Sequence, residues 1–180
     1  MLGDSLLADL RLLVNRKTRE QQFERITEEH GAGISRVISS YARTPAEHED
    51  LTQEVGLAMW RAFATFRGEC SERTFAFRIA HNQGLTWACR RKRHANLDEV
   101  EEPPDYRPTP EAALDQHERR ERLLNAIRAL PLGHRQVLTL ALEELSHDEI
   151  ADVLGITTNN VAVRLNRAKD ALRKILGGSS

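Results

Sequence analysis

Residues 145–176 read LSHDEIADVLGITTNNVAVRLNRAKDALRKIL, and the fold class follows from how this stretch must turn back on itself. Ser146 with Glu149 three residues on is a capping box, so a short helix starts here. Ile150, Ala151, Val153 and Leu154 recur at helical spacing and face inward. Gly155 supplies a sharp turn, Ile156 plugs the core, and Thr157 or Thr158 caps a second helix that buries Val161, Leu165, Ala168 and Leu172. Helix, glycine turn and longer helix make a helix-turn-helix. With that stripe buried, the second helix exposes Thr158, Asn159, Ala162, Val163, Asn166 and Arg167, flanked by Arg164, Lys169, Arg173 and Lys174. Asn pairs with adenine edges, Val and Ala meet a thymine methyl, and Arg takes guanine or phosphate, so this face suits the major groove of a duplex.

Working back toward the N-terminus, the same helical period recurs. Leu114, Leu123, Leu124, Ile127 and Leu130 form one stripe ended by Pro131, and His134 to Leu142 buries Val137, Leu138, Leu140 and Ala141. Leu97 to Gln116 contains Pro103, Pro104, Pro108 and Pro110 among acids, which reads as an extended linker. Before it, Asp4 or Ser5 caps a helix carrying Leu6, Leu7, Leu10, Leu13 and Val14, closed by Arg16, Lys17 and Arg19. A second helix, Phe23 to Tyr41, buries Phe23, Ile26, Ile34, Val37, Ile38 and Tyr41, with Gly31 and Gly33 bending or interrupting it. Thr44-Pro45 restarts the chain as PAEHEDLTQEVGLAMWRAF, with Leu51, Val55, Ala58, Met59, Ala62 and Phe63 inward and Glu47, Glu49, Asp50, Gln53 and Glu54 facing solvent. The expected fold is all-α: two small helical domains, residues 1–95 and 114–177, joined by a Pro-rich acidic linker over 96–113.

The chain of 180 residues carries a net charge of −1, yet its charges lie in blocks. Phe66 to Arg93, FRGECSERTFAFRIAHNQGLTWACRRKR, mixes Phe66, Phe75, Phe77 and Trp87 with Arg67, Arg73, Arg78, Arg90, Arg91, Lys92 and Arg93. Rings take unpaired bases and cations take the backbone, the two needs of a single strand. Ser71 caps the helix that begins at Glu72, with Phe75, Ile79, Leu85 and Ala88 expected inward and Phe75 rather than Phe77 in the core. Residues 98–121 are acidic, and Arg164 to Lys174 is basic again.

Several classes are excluded at this point. Met1 to Arg16 has Asp4 and Asp9 among its leucines, so no secretory signal is expected, and no apolar run is long enough to cross a bilayer. A cytoplasmic location is expected, where Cys70 and Cys89 stay reduced thiols. Cys70, His81, Cys89 and His94 lack the spacing of a metal site, and neither a Gly-rich phosphate loop nor a nucleophile elbow occurs. No metal, cofactor or catalysis is expected.

The order EDLTQE, a helix bearing Trp60, then FRGECSERTFAFRIAHN resembles region 2 of the extracytoplasmic-function sigma factors of bacterial RNA polymerase, within the sigma-70 family. The helix-turn-helix resembles region 4 of the same family. The resemblance implies an alternative sigma factor that binds core polymerase, at the clamp of the largest subunit and the flap of the second-largest, and directs promoter-specific initiation. It implies core binding by Glu49, Asp50, Gln53 and Glu54. It implies reading and opening of the minus-ten element by Arg67, Arg73, Thr74, Arg78, Asn82, Arg90 and Arg91. It implies duplex reading of the minus-thirty-five element by Thr158, Asn159, Ala162, Val163, Arg164, Asn166, Arg167 and Lys169, and an anti-sigma factor as a further partner. Two departures stand out: Glu72 occupies a position where relatives usually carry an aromatic, and Ala162-Val163 replace a Lys/Arg-Ser pair. The competing reading is a stand-alone helix-turn-helix operator-binding regulator, which would leave the EDLTQE face without purpose.

Overall fold

Helix α1 spans Leu2–Tyr41 without a break, where the sequence suggests two helices. The structure, a computed structural model, describes the backbone of residues 2–95 and 112–177 and the side chains of residues 19–93 and 118–177. The Arg16–Arg19 cluster expected to close a first helix therefore lies inside a longer one, and Gly31 and Gly33 do not interrupt it. A glycine costs an interior helical position only about 0.5–1 kcal/mol relative to alanine. Burial of Ile26, Ile34, Val37 and Ile38 on the same helix outweighs that. Gly33 has a packing reason: a Cβ there would stand 2.6 Å from a carboxylate oxygen of Glu143 and 3.0 Å from the Phe77 ring.

The last turn of α1 has no basic residue of its own. Its open carbonyls are capped from elsewhere: Ser39 O accepts from Arg128 Nε at 3.1 Å, Ser40 O from Arg135 Nη1 at 3.2 Å and Tyr41 O from Arg91 Nη1 at 3.0 Å. Cations at a helix C-terminus also oppose its dipole. Burial lowers the pKa of Arg128 and Arg135 from the ordinary guanidinium value.

Helix α2, Pro45–Ala62, starts as read: Thr44 is the N-cap, its hydroxyl accepting from Glu47 N–H at 3.1 Å, with Pro45 in the first turn. Leu51, Val55 and Met59 are buried. Helix α3, Glu72–Ala95, is capped by Ser71, whose Oγ accepts from Thr74 N–H at 3.0 Å. Here the expected inward face is corrected. Phe77 is in the core at 2% exposure, while Phe75 is only partly buried. The residues of α3 turned toward α1 are Phe77, His81 and Gly84, which meet Gly33 and Tyr41, and Gly33 leaves a hollow opposite Phe77. Phe75 instead stacks on Phe66 at 4.4 Å and meets Phe63 edge-on at 5.1 Å, anchoring the loop between α2 and α3.

The expected linker, 96–113, lies outside the described residues except at its end, where α4 (Ala112–Ala129) begins. Helices α5 (Leu132–Leu142), α6 (His147–Leu154) and α7 (Thr158–Gly177) follow. They enclose Val137, Leu140, Ile150, Val161, Leu165 and Ala168. No strand occurs among the described residues, so the fold is all-α. Both halves pack together: the turn between α5 and α6 rests on α1, and α6 lies against α3.

Candidate nucleic-acid interface

The helix-turn-helix forms as its residues dictate. Glu149 N–H donates to Ser146 Oγ at 3.2 Å and Ser146 N–H to Glu149 Oε2 at 2.8 Å, closing the capping box. The Ser146 backbone N–H, hydrogen-bonded to its carboxylate, is the leading cause that holds the Glu149 carboxyl below the usual range; burial opposes it and nearby Arg73 adds to it. Gly155 takes φ 65°, the left-handed turn an L side chain resists. Of the two candidate caps, Thr157 is the one used, its hydroxyl accepting from Asn160 N–H at 3.3 Å.

On α7, Asn159, Val163, Asn166, Arg167 and Lys169 are exposed, Val163 at 40%. Ala162 and Arg164 are half-buried. The Thr158 hydroxyl donates to Asp148 at 2.9 Å, which ties the start of α7 to α6. Asn159, Ala162, Val163 and Asn166 form one contiguous strip along the helix, the width a major groove admits.

The residues expected from the sequence to read the minus-ten element divide into free and engaged sets. Arg67 is exposed in a loop that turns at Gly68, and Asn82 is exposed on α3. Arg78 Nε is buried with no hydrogen-bond partner among the described residues. Arg73 is engaged: it donates to the backbone carbonyl of Glu143, lies 4.0 Å from the Glu149 carboxylate and stands over the Phe77 ring at 5.9 Å. Thr74 is buried at 2% exposure, its hydroxyl 2.8 Å from Ser71 Oγ. Its geometry is that of a capping and packing residue, not of a direct base contact. Arg90 pairs with Glu54 at 2.9 Å and Arg91 with Glu47 at 3.4 Å, so both bind α2 carboxylates here. Glu72, a repulsive charge beside a DNA strand in sequence terms, is paired with Arg25 and accepts a hydrogen bond from Gln22 Nε2 at 2.6 Å, both from α1.

On α2, Glu49, Asp50 and Gln53 are exposed and Glu54 is half-buried. Leu57 joins them, exposed at 56%. The sequence reading missed Leu57, although its place seven residues after Asp50 and four after Gln53 puts all three on one helix face. No cluster of metal-ligating side chains occurs among the described residues, and none of their helices is long and apolar enough to cross a membrane.

Comparison with known proteins gives the class. Sigma-70 region 2 matches residues 26–99, and sigma-70 region 4 matches residues 120–172. The RNA polymerase sigma factor YlaC of Bacillus subtilis strain 168 is 32% identical over 131 residues, 70% of this chain and 75% of that protein. The ECF RNA polymerase sigma-E factor of Escherichia coli strain K12 is 26% identical, covering 77% of this chain and 78% of its own. Among solved structures, the sigma factor RpoE in complex with the anti-sigma factor NepR from Bartonella quintana superimposes with TM-score 0.66 at 18% identity, over 87% of this chain and 99% of that one.

The chain therefore belongs to the sigma-70 family of RNA polymerase sigma factors, in its extracytoplasmic-function group. It is an alternative sigma factor directing promoter-specific transcription, and the stand-alone operator regulator is not favoured.

Proposed function

We propose that residues 1–95 bind core RNA polymerase and read and open the minus-ten element, and that residues 114–177 read the minus-thirty-five element, the linker between them setting their reach. The observation that carries this reading is the α2 face: Glu49, Asp50 and Gln53 surround an exposed Leu57. A leucine inside an acidic rim suits a polymerase clamp that presents basic residues around an apolar contact, and it has no use in a free operator regulator.

Arg67, Arg78 and Asn82, backed by the Phe63–Phe66–Phe75 aromatic cluster, hold unpaired bases and backbone of the melted strand. Arg73, Arg90 and Arg91 join them once released from their carboxyl and carbonyl partners. Thr158 to Lys169 read the duplex upstream. The protein supplies no covalent chemistry, works in the cytoplasm, and has an anti-sigma factor as its regulatory partner. Asp50→Arg places a cation in the docking face without touching the core. It is expected to abolish co-purification with core polymerase while leaving the melting temperature unchanged; normal co-purification would remove the docking assignment.

A further inference from the structure

We infer that Glu72, held in place from α1, selects a base in the single-strand site and gives one position of the opened strand a preference for guanine over thymine, an inference resting on the promoter-reading assignment above. Glu72 stands in the first turn of α3, directly after the loop that carries Arg67 and turns at Gly68. Both of its carboxylate oxygens are bound from α1: Gln22 Nε2 donates to Oε1 at 2.6 Å, and Arg25 Nη2 donates to Oε2. Gln22 and Arg25 are three residues apart on one helix, so a single face presents both donors. A grip on each oxygen fixes the plane of the carboxylate. Both donors lie ahead of residue 26, where the match to region 2 begins.

Folding stability does not account for this arrangement. The Arg25 side chain is 54% exposed and that of Glu72 34%, and an ion pair so open to water adds little to stability. The same openness leaves the carboxylate accessible to a strand passing the loop. A carboxylate only accepts hydrogen bonds, and each oxygen still has a lone pair to offer beside its α1 donor. Arg25 meanwhile offsets the repulsion between that carboxylate and the phosphates of a strand. Phe75, three residues on along α3, carries the stacked Phe66 ring at 4.4 Å, so an apolar surface adjoins the carboxylate. An unpaired base needs both, a ring to stack on and polar groups to read its edge.

An acceptor-only group selects among unpaired bases by the donors they present. Guanine offers N1–H and N2–H side by side on its Watson–Crick edge and satisfies both oxygens at once. Cytosine and adenine offer one amino group next to an acceptor nitrogen. Thymine offers a single N–H between two carbonyl oxygens, which the carboxylate repels. A bidentate pair of this kind discriminates by about tenfold or more.

The test uses the full chain bound to purified bacterial core polymerase, a promoter library randomised across the opened region, and sequencing of the run-off transcripts. Wild type is expected to favour guanine over thymine by about tenfold at one position of one strand. Glu72→Gln offers one acceptor and one donor in place of two acceptors, so the ratio at that position should fall about tenfold relative to wild type, a comparison that cancels the cost of opening a G·C pair. Arg25→Gln should lower the same ratio and Arg25→Lys restore part of it. Glu69→Gln, which removes an equal charge from the loop, should leave it unchanged. Identical base frequencies for wild type and Glu72→Gln, or an equal shift with Glu69→Gln, overturn the inference while leaving the promoter-reading assignment intact. A uniform loss of transcripts with Arg25→Gln, without a change in base frequencies, overturns the role of the α1 grip. Absence of any wild-type-dependent transcript removes the promoter-reading assignment and this inference with it.

Discussion

Phe75 and Phe77 sit two residues apart on one helix, so only one can face the core, and periodicity alone selects the wrong one. What decides it is Gly33 on α1, which precedes Phe77 by 44 residues in the sequence and leaves room for its ring. Phe77→Ala is expected to cost about 3–5 kcal/mol in urea unfolding, and Phe75→Ala clearly less because it is only partly buried. Equal losses would restore the original expectation. Glu144 is a second residue no pattern flags: it holds φ 58°, the left-handed conformation, at the end of α5. An L side chain pays about 1–2 kcal/mol for that geometry. Glu144→Gly should therefore stabilise the protein by about 1 kcal/mol, read as a raised denaturation midpoint; a lowered midpoint would mean the Glu144 side chain makes a contact that matters more than the strain.

Helices α2 and α6 were legible in sequence because their starts are written in short-range chemistry. Thr44-Pro45 and Ser146–Glu149 satisfy the first N–H groups locally, with no help from tertiary structure. Ser146→Ala is expected to cost about 1 kcal/mol by thermal melting, and a loss near zero would show that packing alone sets the start of α6. The continuity of α1 was not legible, since glycines in mid-helix read as breaks unless the elements packed against them are known. The exposed face of α2 was half legible: its acids stand out as a run, whereas Leu57 looks like one more core leucine until the buried stripe of Leu51, Val55 and Met59 is fixed.

At the scale of the whole molecule, both halves were legible and their contact was not, because it depends on pairs such as Arg36–Glu143 that lie 107 residues apart. His81 lies in that contact. It is buried, 2.8 Å from the Tyr41 hydroxyl through Nδ1 and 3.3 Å from the Gln136 amide through Nε2. Burial lowers its pKa from 6.5 to about 4. The unfolded chain then binds the extra proton between those values, so the stability His81 contributes is complete above pH 6.5 and is lost as pH falls toward 4. The loss is roughly 3 kcal/mol, and His81→Gln should flatten the stability profile across that window; an unchanged slope in the variant would exonerate His81.

The most direct test of the central claim is run-off transcription with purified bacterial core polymerase on a promoter library, comparing wild type with Asp50→Arg. Transcripts are expected that appear only with the wild-type protein, share two upstream elements, and vanish with the variant. Binding of duplex DNA by the wild-type protein with no dependent transcript at any promoter would contradict it.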